Sequence, residues 1–167
     1  YYSYRDKEDI KTRFVQEATI SMFCNNWSID DKYYLFLTPT AKLKNWENYK
    51  WEKTDNLTSK VTEIEKEGLH SILLKKGLNP ISVEIPEETS EDNIWRIFTN
   101  VFECIKENDE IVFDITHGFR ASPMLLMTLI NYSKFLRNIT VAHIIYGAFE
   151  AKKNNVALIV KSKSLTT

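Results

Sequence analysis

Between Asp114 and Pro123 the chain reads Asp-Ile-Thr-His-Gly-Phe-Arg-Ala-Ser-Pro, the one segment whose residue types suit joint recognition of a phosphate and a base. Gly118, one of 4 glycines in 167 residues, permits a sharp turn and a close approach of backbone to ligand. Ser122 suits a helix N-cap and Pro123 the first helical position, where a missing N–H is no loss. The free amides of a helix begun there favour an anion. Arg120 adds a planar fork of donors matched to phosphate. Thr116 and His117 supply further donors, and Phe119 offers a flat surface to a base. The competing reading is an ordinary strand–helix loop in which Arg120 pairs with Asp114 and His117 faces water. Asp114, inside the strand, is expected to be structural in either case.

The flanking pattern must hold this segment in place. Glu110 to Ile115 is a short apolar run that predicts a buried strand, and Met124 to Leu136 predicts a helix apolar on almost all sides. Upstream, Phe14 to Cys24 has helical spacing, and Lys32 to Thr38 reads as a strand buried on both faces and ended by Pro39. Ala41 to Asn56 is expected to be a short helix and loop. Leu57 to Lys76 is expected to be one long helix, interrupted by Gly68 and closed by Gly77. Ile81 to Ile85 alternates as a strand. Ser90, with Asn93 three residues on and the acids Glu91 and Asp92, starts a further helix with Ile94, Ile97, Phe98, Val101, Phe102 and Ile105 on its apolar face. Ile139 to Ala148 and Val156 to Val160 are two more strands, joined through a Lys152–Asn155 turn. Tyr1–Arg5 and Ile10–Arg13 form a small opening hairpin.

Apolar strands alternating with long helices predict an α/β fold: Rossmann-like and three-layered, with a mostly parallel central sheet flanked by helices and a C-terminal antiparallel hairpin. Ligands of such sheets bind beyond the carboxyl ends of the strands. Two further residues fall near such ends, Thr38 after Leu35–Leu37 and Gly147 after Tyr146; for Gly147, strand packing is an equal alternative. Trp46 and Trp51 among lysines suit either stacking or packing under a loop. His70 and His143 read as structural histidines, and Lys152, Lys153, Lys161 and Lys163 as a solvated face.

Composition narrows the classes. Aromatic residues at 13% and hydrophobic residues at 43% exclude a globally disordered chain. No apolar run approaches the roughly 20 residues of a spanning helix, and no signal segment is present, so the expected site is the cytoplasm. Cys24 and Cys104 lack a CxxC partner and are expected as buried thiols; three histidines without ligand spacing give no metal site. No GxGxxG, P-loop or GxSxG pattern occurs, and no cofactor is expected. From Gly118 onward 7 basic residues stand against 1 acidic, whereas the first 117 residues carry 15 and 22. That asymmetry suits an anion held locally and argues against a long nucleic acid.

Asp114-Ile115-Thr116-His117-Gly118-Phe119-Arg120 with Pro123 resembles the sensor loop of the CARF (CRISPR-associated Rossmann fold) domains of type III CRISPR ancillary proteins. Thr12-Arg13-Phe14-Val15-Gln16-Glu17-Ala18, Lys44-Asn45-Trp46 and Tyr146-Gly147-Ala148-Phe149-Glu150-Ala151 are similar to stretches of the same family branch. The resemblance implies a homodimer whose shared cleft holds a cyclic oligoadenylate and activates a fused effector, most often a HEPN ribonuclease, in antiviral defence. Thr116 to Arg120 would be the ligand loop, with Ser122, Thr38 and Gly147 as further candidates. Two-fold symmetry favours an even ring, four units first and six next. The alternatives are a metal-independent ring nuclease, with His117 or Thr116 orienting a ribose 2′-hydroxyl, and a DNA-binding α/β regulator. The family's first strand and its loop are not found in the sequence, so 1–160 is expected to be a sensor domain lacking that strand. Residues 161–167 read as a linker toward an effector outside the chain.

Overall fold

The computed structural model describes residues 1–5, 9–54, 61–88, 90–117, 123–153 and 156–161. Its elements are β1 (Tyr2–Ser3), α1 (Val15–Phe23), β2 (Tyr33–Leu37), α2 (Pro39–Ala41) running into a π-helical turn (Lys42–Trp46), β3 (Tyr49–Thr54), β4 (Val61–Lys66), α3 (Leu69–Lys75), β5 (Pro80–Glu84), α4 (Glu91–Cys104), β6 (Glu110–Asp114), α5 (Pro123–Arg137), β7 (Thr140–Lys153) and β8 (Val156–Lys161). The class is α/β and Rossmann-like, with mostly parallel strand pairing. The chain forms two compact units, Tyr1–Ser28 with Ser90–Thr167, and Ile29–Thr89.

The first unit is built on a four-stranded sheet of order β1-β8-β7-β6. β6 runs parallel to β7, β7 antiparallel to β8, and β8 parallel to β1. The expected opening hairpin reduces to one antiparallel bridge, Tyr2 to Ile10, while Tyr2–Ser3 extends the sheet as an edge strand. Helix α1 buries Val15, Ala18 and Met22 against Tyr2, Ile145, Ala157 and Ile159. Each large side chain removed from water there contributes about 1.5–3 kcal/mol.

Helix α4 starts where the sequence requires. Ser90 accepts a hydrogen bond from the Asn93 amide at 3.2 Å, with Glu91 and Asp92 in the first turn. Phe98 and Phe102 pack on Tyr132 of α5, with ring centroids 5.6 and 5.2 Å apart. Pro123 opens α5 as expected. Its expected cap, Ser122, lies outside the described residues, as do Asn154 and Asn155 of the β7–β8 turn.

In the second unit β2 and β5 pair in parallel, and β3 and β4 form an antiparallel hairpin. Leu35 is the one buried residue of β2, so that strand is less enclosed than its composition suggests. The long helix expected over Leu57–Lys76 is not formed: Val61–Lys66 is strand β4, and among the described residues of that span only Leu69–Lys75 is helical. Likewise 49–54, expected as loop, is strand β3. The hairpin sets Trp51 opposite Ile64 and Lys50 opposite Glu65, and cross-strand pairs of this kind outweigh local helix propensity. Gly77 ends α3 as expected: its φ is +76°, its amide donates to Leu74 O at 2.9 Å, and the Leu78 amide donates to Leu73 O at 3.1 Å.

His143, on β7, titrates below the ordinary histidine range because burial disfavours its charged form and Lys161 repels it. Its Nδ1 is buried with no hydrogen-bond partner. A folded pKa below the unfolded one means that the unfolded chain binds more protons, so stability is full above about pH 6.5 and falls as the pH drops toward the folded value. The melting temperature of the wild type is expected to fall more between pH 7.5 and 5.5 than that of His143→Gln; equal pH slopes would contradict this.

Candidate functional site

The strongest polar constellation among the described residues sits where β6 ends. Asp114 closes the strand, and its two carboxylate oxygens divide their work. Oδ2 accepts from the Thr19 hydroxyl of α1 at 2.8 Å. Oδ1 accepts from the Thr116 amide at 2.9 Å and from the Thr116 hydroxyl at 2.6 Å. The Thr116 oxygen in turn accepts from the Gly147 amide of β7 at 2.8 Å. One backbone bond continues the ladder past the strand, from the Ile115 amide to Ile145 O at 2.9 Å. Thr19 and Thr116 are both buried, so these bonds satisfy groups that have no access to water. The same carboxylate's negative charge, with burial as the larger cause, raises the pKa of the Tyr2 phenol.

Gly147 lies inside β7, against Val15 of α1 and Thr116, rather than at a strand end. A Cβ there would fall 2.6 Å from Val15 Cγ2 and 3.3 Å from the Thr116 side chain, so glycine is required for close packing. The chain leaves this anchor at His117, which is exposed. Gly118, Phe119 and Arg120, the remaining expected loop residues, lie outside the described residues with Ser122.

Thr38 belongs to the second unit. Its hydroxyl accepts from the Ala41 amide at 3.3 Å, capping the short helical segment that ends in Trp46. Trp46 is buried and stacks on His70 at 4.7 Å, so packing accounts for both. Trp51 stacks on Tyr49 at 5.6 Å, with Lys66 Nζ 4.8 Å from its ring centroid. No cluster of metal-ligating side chains occurs among the described residues, and no described helix is long and apolar enough to cross a membrane.

Thr19 is the residue that sequence reasoning missed. Its signal was present: a lone hydroxyl in the apolar stripe Val15, Ala18, Met22, where a buried polar group calls for a partner.

Asp114 therefore accepts three hydrogen bonds from within the chain and presents His117 at the carboxyl edge of a parallel strand. Comparison with known proteins shows the family. Residues 1–150 match the family described as the CARF domain of the CRISPR system endoribonuclease Csx1. The chain is also similar to CRISPR-associated protein MJ1674 of Methanocaldococcus jannaschii, at 25% identity over 130 residues. That match takes in 72% of this chain and 19% of the archaeal protein, so the chain spans a small part of its relative's length.

Proposed function

Because the chain belongs to the CARF-domain family of the CRISPR system endoribonuclease Csx1, we propose that it binds a cyclic oligoadenylate in a homodimer cleft and so activates a fused effector. That effector, a HEPN ribonuclease, lies outside this chain, and the setting is type III CRISPR antiviral defence in the cytoplasm. The observation that carries the reading is the occupied state of Asp114. Thr19 and Thr116 already give it three hydrogen bonds, which anchors Thr116 at the sheet edge where α/β folds take ligands, and Arg120 is the candidate phosphate partner by its chemistry. In this reading Thr116 and Gly147 shape the floor, His117 and Phe119 meet ribose or adenine, and Gly118, Ser122 and the start of α5 accommodate phosphate. No metal or cofactor enters.

The test is a titration of cyclic tetra-adenylate and cyclic hexa-adenylate against the purified chain, read as melting temperature. A rise saturating with one ring size is expected. No rise with any ring, or steeply salt-dependent binding to duplex DNA instead, would overturn the reading.

For the dimer, α5 is the favoured face. Met124 is 82% and Phe135 86% exposed, and no charged residue occurs from Pro123 to Ser133. An isologous contact brings like surfaces together, which an uncharged face permits and a charged one resists. Phe135→Asp is expected to raise the dimer dissociation constant at least about tenfold, measured by sedimentation; an unchanged constant would place the interface elsewhere.

Ring cleavage is the second reading. The Thr116 hydroxyl is engaged within the chain while the neighbouring His117 is exposed, so orientation of a ribose 2′-hydroxyl would fall to His117. Linear product from labelled ring, lost in His117→Ala, would support it.

A further inference from the structure

We propose that Thr19 is a positioning residue for the ligand loop, acting through Asp114 to set where the chain leaves β6. This rests on the reading of residues 116–120 as that loop. Thr19 and Asp114 are 95 residues apart in sequence and meet at 2.8 Å, at a Thr19 that is 4% exposed. Valine would fill the same stripe between Ala18 and Met22, so the hydroxyl is there for its bond rather than its volume. The two oxygens of a carboxylate turn together. Holding Oδ2 on Thr19 therefore fixes the direction of Oδ1, which holds both the amide and the hydroxyl of Thr116. Thr116 passes the constraint to the Gly147 amide. Val15, one helical turn before Thr19, closes over Gly147 from the same helix. Helix α1 thus grips the base of the loop at two points, one polar and one by packing. A displacement of α1 would therefore be felt at Thr116, and a shift of Thr116 at α1. Supporting groups behind a binding residue commonly govern its affinity in this way.

Two variants separate positioning from simple stability. Thr19→Val keeps the packing and removes the donor; Thr19→Ser keeps the donor and removes a buried methyl. Amide hydrogen exchange at Thr116 and Gly147 in the ligand-free protein is expected to quicken about tenfold in Thr19→Val and to stay near wild type in Thr19→Ser. Cyclic tetra-adenylate affinity should follow the same order, with about a tenfold loss in the valine variant alone, even if both variants melt earlier. The proposal is overturned if the two variants exchange alike, or if the serine variant is the more perturbed at these amides. If no ring binds the wild type, the function proposed above fails, and the exchange data still decide the role of Thr19.

Discussion

Asp114→Ala is expected to lower the unfolding free energy by about 4 kcal/mol and to abolish cyclic oligoadenylate binding. The substitution leaves three donors without their acceptor: the Thr19 hydroxyl, the Thr116 amide and the Thr116 hydroxyl. Each buried group stripped of its partner costs about 1–3 kcal/mol, and Thr19 and Thr116 are 4% and 3% exposed. A domain of this size holds only about 5–15 kcal/mol in all, so the loss is a large share of stability. Asp114→Asn retains an acceptor at one oxygen and should cost less than half as much. Urea denaturation gives the energies, and ring titration of the folded fraction gives the binding. A loss below about 1 kcal/mol in the alanine variant would mean that water replaces the carboxylate, and the loop would need another anchor.

Gly68→Ala is expected to cost at least about 3 kcal/mol. A Cβ at this position would sit 2.2 Å from Trp46 O, 2.4 Å from Glu47 C and 2.5 Å from Glu47 O. All three are backbone atoms and cannot rotate aside. The φ of −79° suits any residue, so the requirement is space alone. The Gly68 amide also donates to Asn48 Oδ1 at 2.9 Å, and that oxygen takes the Ser71 hydroxyl at 2.9 Å. Pushing Gly68 away from the Trp46–Glu47 backbone would break both bonds at the start of α3. Gly77→Ala is the contrast: φ is +76° and nothing lies within 4 Å, so only backbone strain of about 1 kcal/mol is expected. Equal losses at Gly68 and Gly77 in urea denaturation would contradict the argument from space.

Gly68 also marks where sequence reading went astray. Val61, Ile64, Leu69, Ile72 and Leu73 recur at spacings that fit a helix, but the first two belong to a strand. They pair with Thr54 and Trp51 of β3, and pairing between segments is invisible to a window that scans one segment at a time. Where signals are local, the sequence was legible. Ser90 with Asn93 places the start of α4, Pro123 the start of α5, and Gly77 the end of α3, because capping chemistry lies within a few residues of each boundary. The site divides the same way. Asp114 through Arg120 stood out by composition and position, and the structural role expected of Asp114 is the one its bonds describe. Thr19 did not stand out, since the bond that gives it meaning spans most of the chain. The sequence pattern ends the strand of Gly147 at Ala148, whereas β7 runs on to Lys153.

Isothermal titration of cyclic tetra-adenylate into the wild-type chain and into Arg120→Ala tests the central claim most directly. One ring per two wild-type chains is expected, with at least about tenfold weaker binding in the variant, the loss expected for a charge-assisted hydrogen bond to phosphate. Equal affinity in the two proteins, or one ring per single chain, would contradict it.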